Sequence, residues 1–307
     1  MEVKAYDIPE MYSEVLARMK VERAREDSRN GEVWTVQEPV TVTVRRPMYR
    51  VLVDEERNCN PFFHVMEFVW MMAGRKDADW IRQFNSRFKE YADEDGTIHG
   101  AYGYRWLRHN CMDQVSLAVA ELLEDRNSRR AVLAMWDAGS DLHTEHNDLP
   151  CNTHIYLRRI DNSLDMTVCN RSNDVVWGMC GANAVHMTML HELIARAVGL
   201  RQGRYHVVTN NAHVYVETHG HLFKGFAEPE EVPGVPDPLL ESQERWTDFM
   251  ADAVDFCNGK FGNLRTVWMS TTALPMYETY LNHEDHHRIK CPQWQFAANK
   301  WLLWNRD

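Results

Sequence analysis

Apolar and polar positions along the chain follow two periods. In MYSEVLARMKVERARED (11–27) the apolar residues recur at helical spacing, which predicts an amphipathic N-terminal helix. SRNGEVW (28–34) breaks that helix, and VTVTVRR (40–46) alternates as a half-buried strand does. PFFHVMEFVWMMAGR (61–75) is apolar nearly all round and ends in glycine, so a buried helix capped at Gly74 is expected. YADEDGTIHGAYGYRW (91–106), rich in Gly and Asp, has loop chemistry. MDQVSLAVAELLEDRNSRR (112–130) predicts a helix that runs into a basic step, with AVLAMWD (131–137) as a strand behind it. THIYLRRI (153–160) and SLDMTVCNRS (163–172) read as strands, NAVHMTMLHELIARAVGL (183–200) as a helix, and GRYHVVTNNAHVYV (203–216) as a returning strand. FAEPEEVPGVPDP (226–238) is Pro- and acid-rich and predicts a long exposed loop. Helices mixed with largely buried strands, and no internal repeat, point to one α+β domain over 1–307.

Composition narrows the partners. The chain has 307 residues, 44% hydrophobic and 26% charged, which is ample for a core. Its net charge of −11 argues against a general grip on nucleic acid backbone, so any bound anion must meet locally concentrated arginines. Seven cysteines without paired spacing, no signal peptide and no membrane-length apolar run lead us to expect a cytosolic protein.

Most lone cysteines fill apolar gaps. Cys151, between a proline and a strand in DLPCNTH, has other company. Arg129-Arg130 and Arg171-Ser172 are two basic steps; a guanidinium fork with a hydroxyl suits a phosphate, and nearby guanidiniums also favour a thiolate. Either step alone fits a structural ion pair equally well. NHEDHHRIK (282–290) raises a metal reading, but adjacent side chains cannot all point inward and no ligand pair sits at motif spacing, so no metal is expected.

Taken in order, HVMEFVWMMAGR, YADEDGTIHGAYGYRW, NSRRAVLAMW, LPCNTH, NRSNDVVWG and NNAHVY resemble thymidylate synthase and the related phage pyrimidine-nucleotide hydroxymethylases, from about Arg29 to Tyr215. The resemblance implies the thymidylate synthase fold, a mixed β-sheet flanked by helices that packs sheet-to-sheet in a homodimer. It implies a pyrimidine nucleoside monophosphate as substrate and 5,10-methylenetetrahydrofolate as co-substrate. Cys151 would be the nucleophile at C6 of the base. Arg29, Arg171 and Ser172 would hold the phosphate, with Asn170 beside them and Arg129 and Arg130 reaching across from the partner subunit. Glu67 would manage protons and water at the base, Tyr102 would lie near the C5 proton, His213 and Tyr215 would bond the sugar's 3′-hydroxyl, and Asp174 would face the pterin.

Several residues depart from the synthase pattern. Phe88 stands where a tryptophan usually packs beside the intermediate and the folate, and Asn152 replaces a histidine after the nucleophile. The turn reads GMCGAN, and the chain ends KWLLWNRD instead of in a short apolar tail. RSNDVV looks more like the T-even phage hydroxymethylases. A wetter site is expected from these departures, hence 5-hydroxymethylation by water. The alternatives are reductive methylation to thymidylate, and a non-catalytic nucleotide- or metal-binding protein. Counting from Asp174 puts Ala182 at the base-reading position, or Asn183 with one inserted residue; an amide there suits deoxyuridylate and, rotated, deoxycytidylate. Cys180 lies close to that turn, and the other cysteines read as structural.

Overall fold

A computed structural model of the chain describes residues 1–28, 30–224, 228–283 and 286–305. Among these residues ten strands form two mixed sheets: β1 (Glu2–Ala5), β2 (Ala24–Ser28), β3 (Gly31–Val36), β4 (Val40–Val44), β5 (Val132–Ala134), β6 (Asn152–Ile160), β7 (Ser163–Asn170), β8 (Asn173–Asp174), β9 (Arg201–Thr209) and β10 (Ala212–Tyr215). The larger sheet runs β1-β4-β9-β7-β6-β5, the smaller β2-β3-β10-β8. β1 with β4, β7 with β9, and β8 with β10 are the parallel pairs. The architecture is α+β.

Alternation decides which face of the larger sheet is buried. In β7, Leu164, Met166 and Val168 point into the core. Helices Ile8–Glu22, Pro61–Met72 and Ala182–Ala197 belong to that side. Pro61–Met72 is the hub, buried at every position, with helices Trp246–Cys257, Leu274–Asn282 and Pro292–Trp304 packed on it. Asn60 caps its start through Phe63 N–H at 3.0 Å, and Gly74, at φ +65, ends it as the sequence suggests. The opposite face of the sheet leaves Val132, Tyr156 and Val208 exposed, with Val132 and Tyr156 directly paired across β5 and β6.

Three expectations change. The N-terminal helix stops at Glu22, and Ala24–Ser28 becomes an edge strand hairpinned to β3 and held by an Arg25–Glu32 ion pair. These charged residues favour a helix locally, but cross-strand pairing overrides a weak propensity. Within the expected loop 91–106, Tyr102–Leu107 is helical, because Gly103 lets that turn lie against the Met71 backbone where a β-carbon would collide. The expected strand 203–216 is two strands in two sheets, β9 and β10, broken at Asn210–Asn211. Its neighbour breaks at the same level, between β7 and β8, at Arg171–Ser172. Asn210 N–H donates to Asn170 C=O (3.0 Å) and Asn173 N–H to Asn211 C=O (2.8 Å), so the two chains change sheet together. Residues 228–238 form no helix or strand, as expected of that part of the loop; 226 and 227 lie outside the described residues.

Candidate active site

The double break opens a polar corner at the end of the larger sheet. Cys151 is half-buried at the entrance to β6, and Arg171 N–H donates to its carbonyl at 2.9 Å. The Arg171 guanidinium reaches back over the same segment: Nε donates to Pro150 C=O (3.0 Å), Nη2 to Leu149 C=O (3.1 Å), and its plane lies over Trp136 at 5.4 Å. Arg171 thus fixes the cysteine loop and brings a positive charge to it.

β8 and β10 collect the remaining polar groups. His213 stands opposite Asp174 in the parallel register. Ser172 Oγ lies 3.4 Å from His213 Nδ1, which is 2.9 Å from Asn211 Oδ1. His213 and Tyr215 meet edge to face at 5.2 Å, and Asn30 Nδ2 reaches the Tyr215 hydroxyl at 3.5 Å. Asp174 Oδ1 accepts from Val176 and Trp177 N–H (2.8 and 2.9 Å), capping a π-turn over Val175–Met179. Arg57 clamps that turn from beneath, donating Nε and Nη2 to Val176 C=O at 3.0 and 2.7 Å. Ala182 is buried, whereas Asn183 Nδ2 approaches Asn173 Oδ1 at 3.4 Å over Gly178, where a β-carbon would sit 2.5 Å from that oxygen.

Acids close the other side. Glu67 is buried, and among the described residues no hydrogen bond reaches its Oε2. His186 Nε2 is 3.5 Å away but makes its hydrogen bond to His64 C=O at 3.0 Å, and burial drives that imidazole down to about 3, leaving it neutral. Burial, then the charge of Asp148, pushes the Glu67 carboxyl well above the usual range. Asp148 is itself pushed up to about 6 by burial, against an opposing hydrogen bond from Gly100 N–H and the charge of Arg171. The Tyr102 hydroxyl accepts from Asn152 N–H at 3.3 Å; burial, then the charges of Cys151 and Asp148, raise its pKa.

Not every expected residue arrives here. Phe88 is buried in an aromatic cluster with Phe63 (5.6 Å) and Trp70 (6.2 Å). The aromatic surface beside Asp174 is Trp177, 37% exposed and stacked on Phe63, a residue the sequence reading passed over. Asn170 is buried opposite Asn152, beneath the corner. Arg129 is exposed, and Arg130 pairs with Glu121 at 2.8 Å; among the described residues neither bonds to Arg171, Ser172 or His213. Arg29 lies outside the described residues, as do Glu284 and Asp285 of the histidine-rich segment and the last two residues of the tail. Asp148 and Arg57 were also missed. Asp148 could have been noticed as an acid three residues before the cysteine, but Arg57 has no local signal. Asp93, His99 and His146 offer ligand atoms within 4.8 Å of one another. One nitrogen of each ring is engaged, His146 Nδ1 with Asp93 at 2.7 Å and His99 Nε2 with Asp141 at 2.7 Å, and the rings stack at 3.7 Å.

A cysteine-bearing loop gripped by arginine, raised acids on one side and a polar strand pair on the other bring together the residue types that covalent chemistry requires. Residues 11–257 match the model of the thymidylate synthase family, and the chain belongs to that family. The deoxyuridylate hydroxymethyltransferase of Pseudomonas phage M6 is 48% identical over 70% of this chain and 62% of its own length. Those of Bacillus phage SP01 and Delftia phage PhiW-14 are 28% and 31% identical, over 80% and 65% of this chain. The chain therefore spans only about three fifths of the length of the M6 relative. The crystal structure of T4 phage thymidylate synthase shares the fold, with a TM-score of 0.63 at 16% identity over 80% of this chain and 91% of that one.

Proposed function

We propose that this protein is a transferase that converts dUMP to 5-hydroxymethyl-dUMP, using methylenetetrahydrofolate and water. The observation that carries the reading is the cysteine loop itself: the carbonyls before Cys151 are tied to Arg171, Tyr102 feels the charges of both Cys151 and Asp148, and Asp148 in turn acts on Glu67. The three phage relatives named for deoxyuridylate hydroxymethylation support the choice of base and product.

In this mechanism Cys151 thiolate adds to C6 of uracil and makes C5 nucleophilic. Arg171 and Ser172, with Arg29, hold the phosphate, and Arg171 also favours the thiolate. His213 and Tyr215 take the sugar hydroxyl. Asn183 reads the uracil carbonyl and ring N–H, and an added residue between Asp174 and that helix is what a π-turn absorbs. The same amide, rotated, would accept dCMP. Methylenetetrahydrofolate, when bound, supplies the one-carbon unit. Trp177 offers its rings a flat exposed surface and Asp174 Oδ2 a polar contact, since both capping bonds use Oδ1. Tyr102 and Glu67 handle the C5 proton, and water adds to the exocyclic methylene left on C5.

The exposed sheet face bearing Val132, Tyr156 and Val208 supports a sheet-to-sheet homodimer, with Arg129 and Arg130 delivered to the partner's phosphate. The reading also takes 1–307 as one domain acting in the cytoplasm; among the described residues no helix is long and apolar enough to cross a membrane. The test is incubation with dUMP, dCMP or CMP and methylenetetrahydrofolate, with products weighed by mass spectrometry. Hydroxymethyl-dUMP without dihydrofolate is expected. Thymidylate with stoichiometric dihydrofolate would make the protein a synthase, and no tritium release from C5-labelled nucleotide would leave a binding protein. Cys151→Ala should abolish release.

A further inference from the structure

We propose that Asp148 is the general base of the water step, removing a proton from the water that attacks the exocyclic methylene. This rests on the hydroxymethyl reading above and adds the residue that would direct it.

The carboxylate is placed by a built support. Gly100 packs against the Asp148–Pro150 backbone so tightly that a β-carbon there would lie 2.5 Å from Asp148 Oδ2 and 2.9 Å from Pro150 N. On one side of Asp148 the loop is anchored by His146 and Asn147 to Asp93, at 2.7 and 3.1 Å. On the other, Arg171 holds the carbonyls of Leu149 and Pro150. The acid is thus held three residues from the nucleophile, close enough to Glu67 and Tyr102 for its charge to act on both.

Two carboxyls that feel each other's charge do not ionise together near neutrality. Glu67 is deeply buried with no hydrogen bond to Oε2 among the described residues, and burial, then the charge of Asp148, shifts it toward its protonated form. Asp148 is raised to about 6 by burial, then by the charge of Asp93, against Gly100 N–H, Arg171 and Arg105; Glu67 and Tyr102, which also face it, are themselves raised by its charge. A base with a pKa just below neutrality suits proton abstraction from water.

The step balances. A water O–H bond breaks and its proton goes to Asp148, while the oxygen bonds to the methylene carbon. The C5=CH2 electron pair moves to the C4 enolate. The enolate then re-forms the C5=C6 bond and expels Cys151 thiolate.

The test uses the full chain with Asp148→Asn, which retains an acceptor for Gly100 N–H. With C5-tritiated dUMP and methylenetetrahydrofolate, the variant should release a burst equal to its active sites at the wild-type rate. Turnover should then be slower by on the order of 100-fold, while intact mass reports an accumulating Cys151–nucleotide–methylene adduct. The wild-type fall in turnover below pH 6 should disappear in the variant. Formate should restore turnover to Asp148→Ala, which a merely structural residue would not allow. No burst in Asp148→Asn, or wild-type turnover in it, would overturn the proposal. Failure of the underlying reading is separate: the wild type itself would then yield no hydroxymethyl product.

Discussion

Two groups of carboxylates meet the short stretch from Asp141 to Cys151, and their titrations are displaced in opposite directions. Burial pushes both upward. Asp141 nevertheless falls to about 2, because Arg105 donates Nη1 and Nη2 to its two oxygens (2.9 and 2.7 Å), Asp137 N–H adds 2.8 Å and His99 Nε2 lies at 2.7 Å. Glu67 and Asp148 have far fewer donors and rise. The balance of donors against desolvation therefore separates Asp141, whose carboxyl is lowered, from Glu67 and Asp148, whose carboxyls are raised.

The comparison can be broken from either side. Glu67→Gln should cost about 10²–10⁴-fold in kcat if that carboxyl handles protons; unchanged kcat with normal tritium release would place it outside the chemistry. Arg105→Met strands a buried Asp141 and should destabilise the fold by about 3–5 kcal/mol in chemical denaturation. Because the folded Asp141 carboxyl is depressed, its contribution is present above the ordinary range near pH 4 and lost as pH falls through about 2. The raised acid has the opposite sign. Asp148 costs nothing below its ordinary range near pH 4, and the cost grows until about pH 6. Asp148→Asn should therefore stabilise the protein at pH 8 by about 1–3 kcal/mol while turnover falls; a loss of stability there would contradict the assigned charge state. The smallest structural effect belongs to Arg130, whose pair with Glu121 is largely exposed. Arg130→Ala should change stability by less than about 0.5 kcal/mol, yet raise KM for the nucleotide roughly tenfold if the side chain serves the partner subunit.

Legibility differed by kind of residue. Cys151, Arg171, Ser172, Asp174, His213 and Tyr215 sit in short ordered motifs and could be named from the chain, and the apolar run around Glu67 marked it as an acid out of place. Trp177 carries no local signal in the chain, whereas Phe88, which fits the family position, turns into the core. Arg57 and Asp148 act through partners far away in sequence, Val176 and Glu67 respectively.

The amino-acid sequence by itself determined the helical hub, the alternating strands and the motif that carries Cys151, because hydrophobic period and local turn chemistry are properties of neighbouring residues. Only the tertiary structure decided that two strands change sheet side by side and that Trp177 instead of Phe88 is presented to solvent. It also decided that Asp141 meets several donors and is lowered while Asp148, seven residues on, meets fewer and is raised. Those outcomes depend on which donors and packing surfaces long-range folding brings within a few ångströms, and no local pattern encodes that distance.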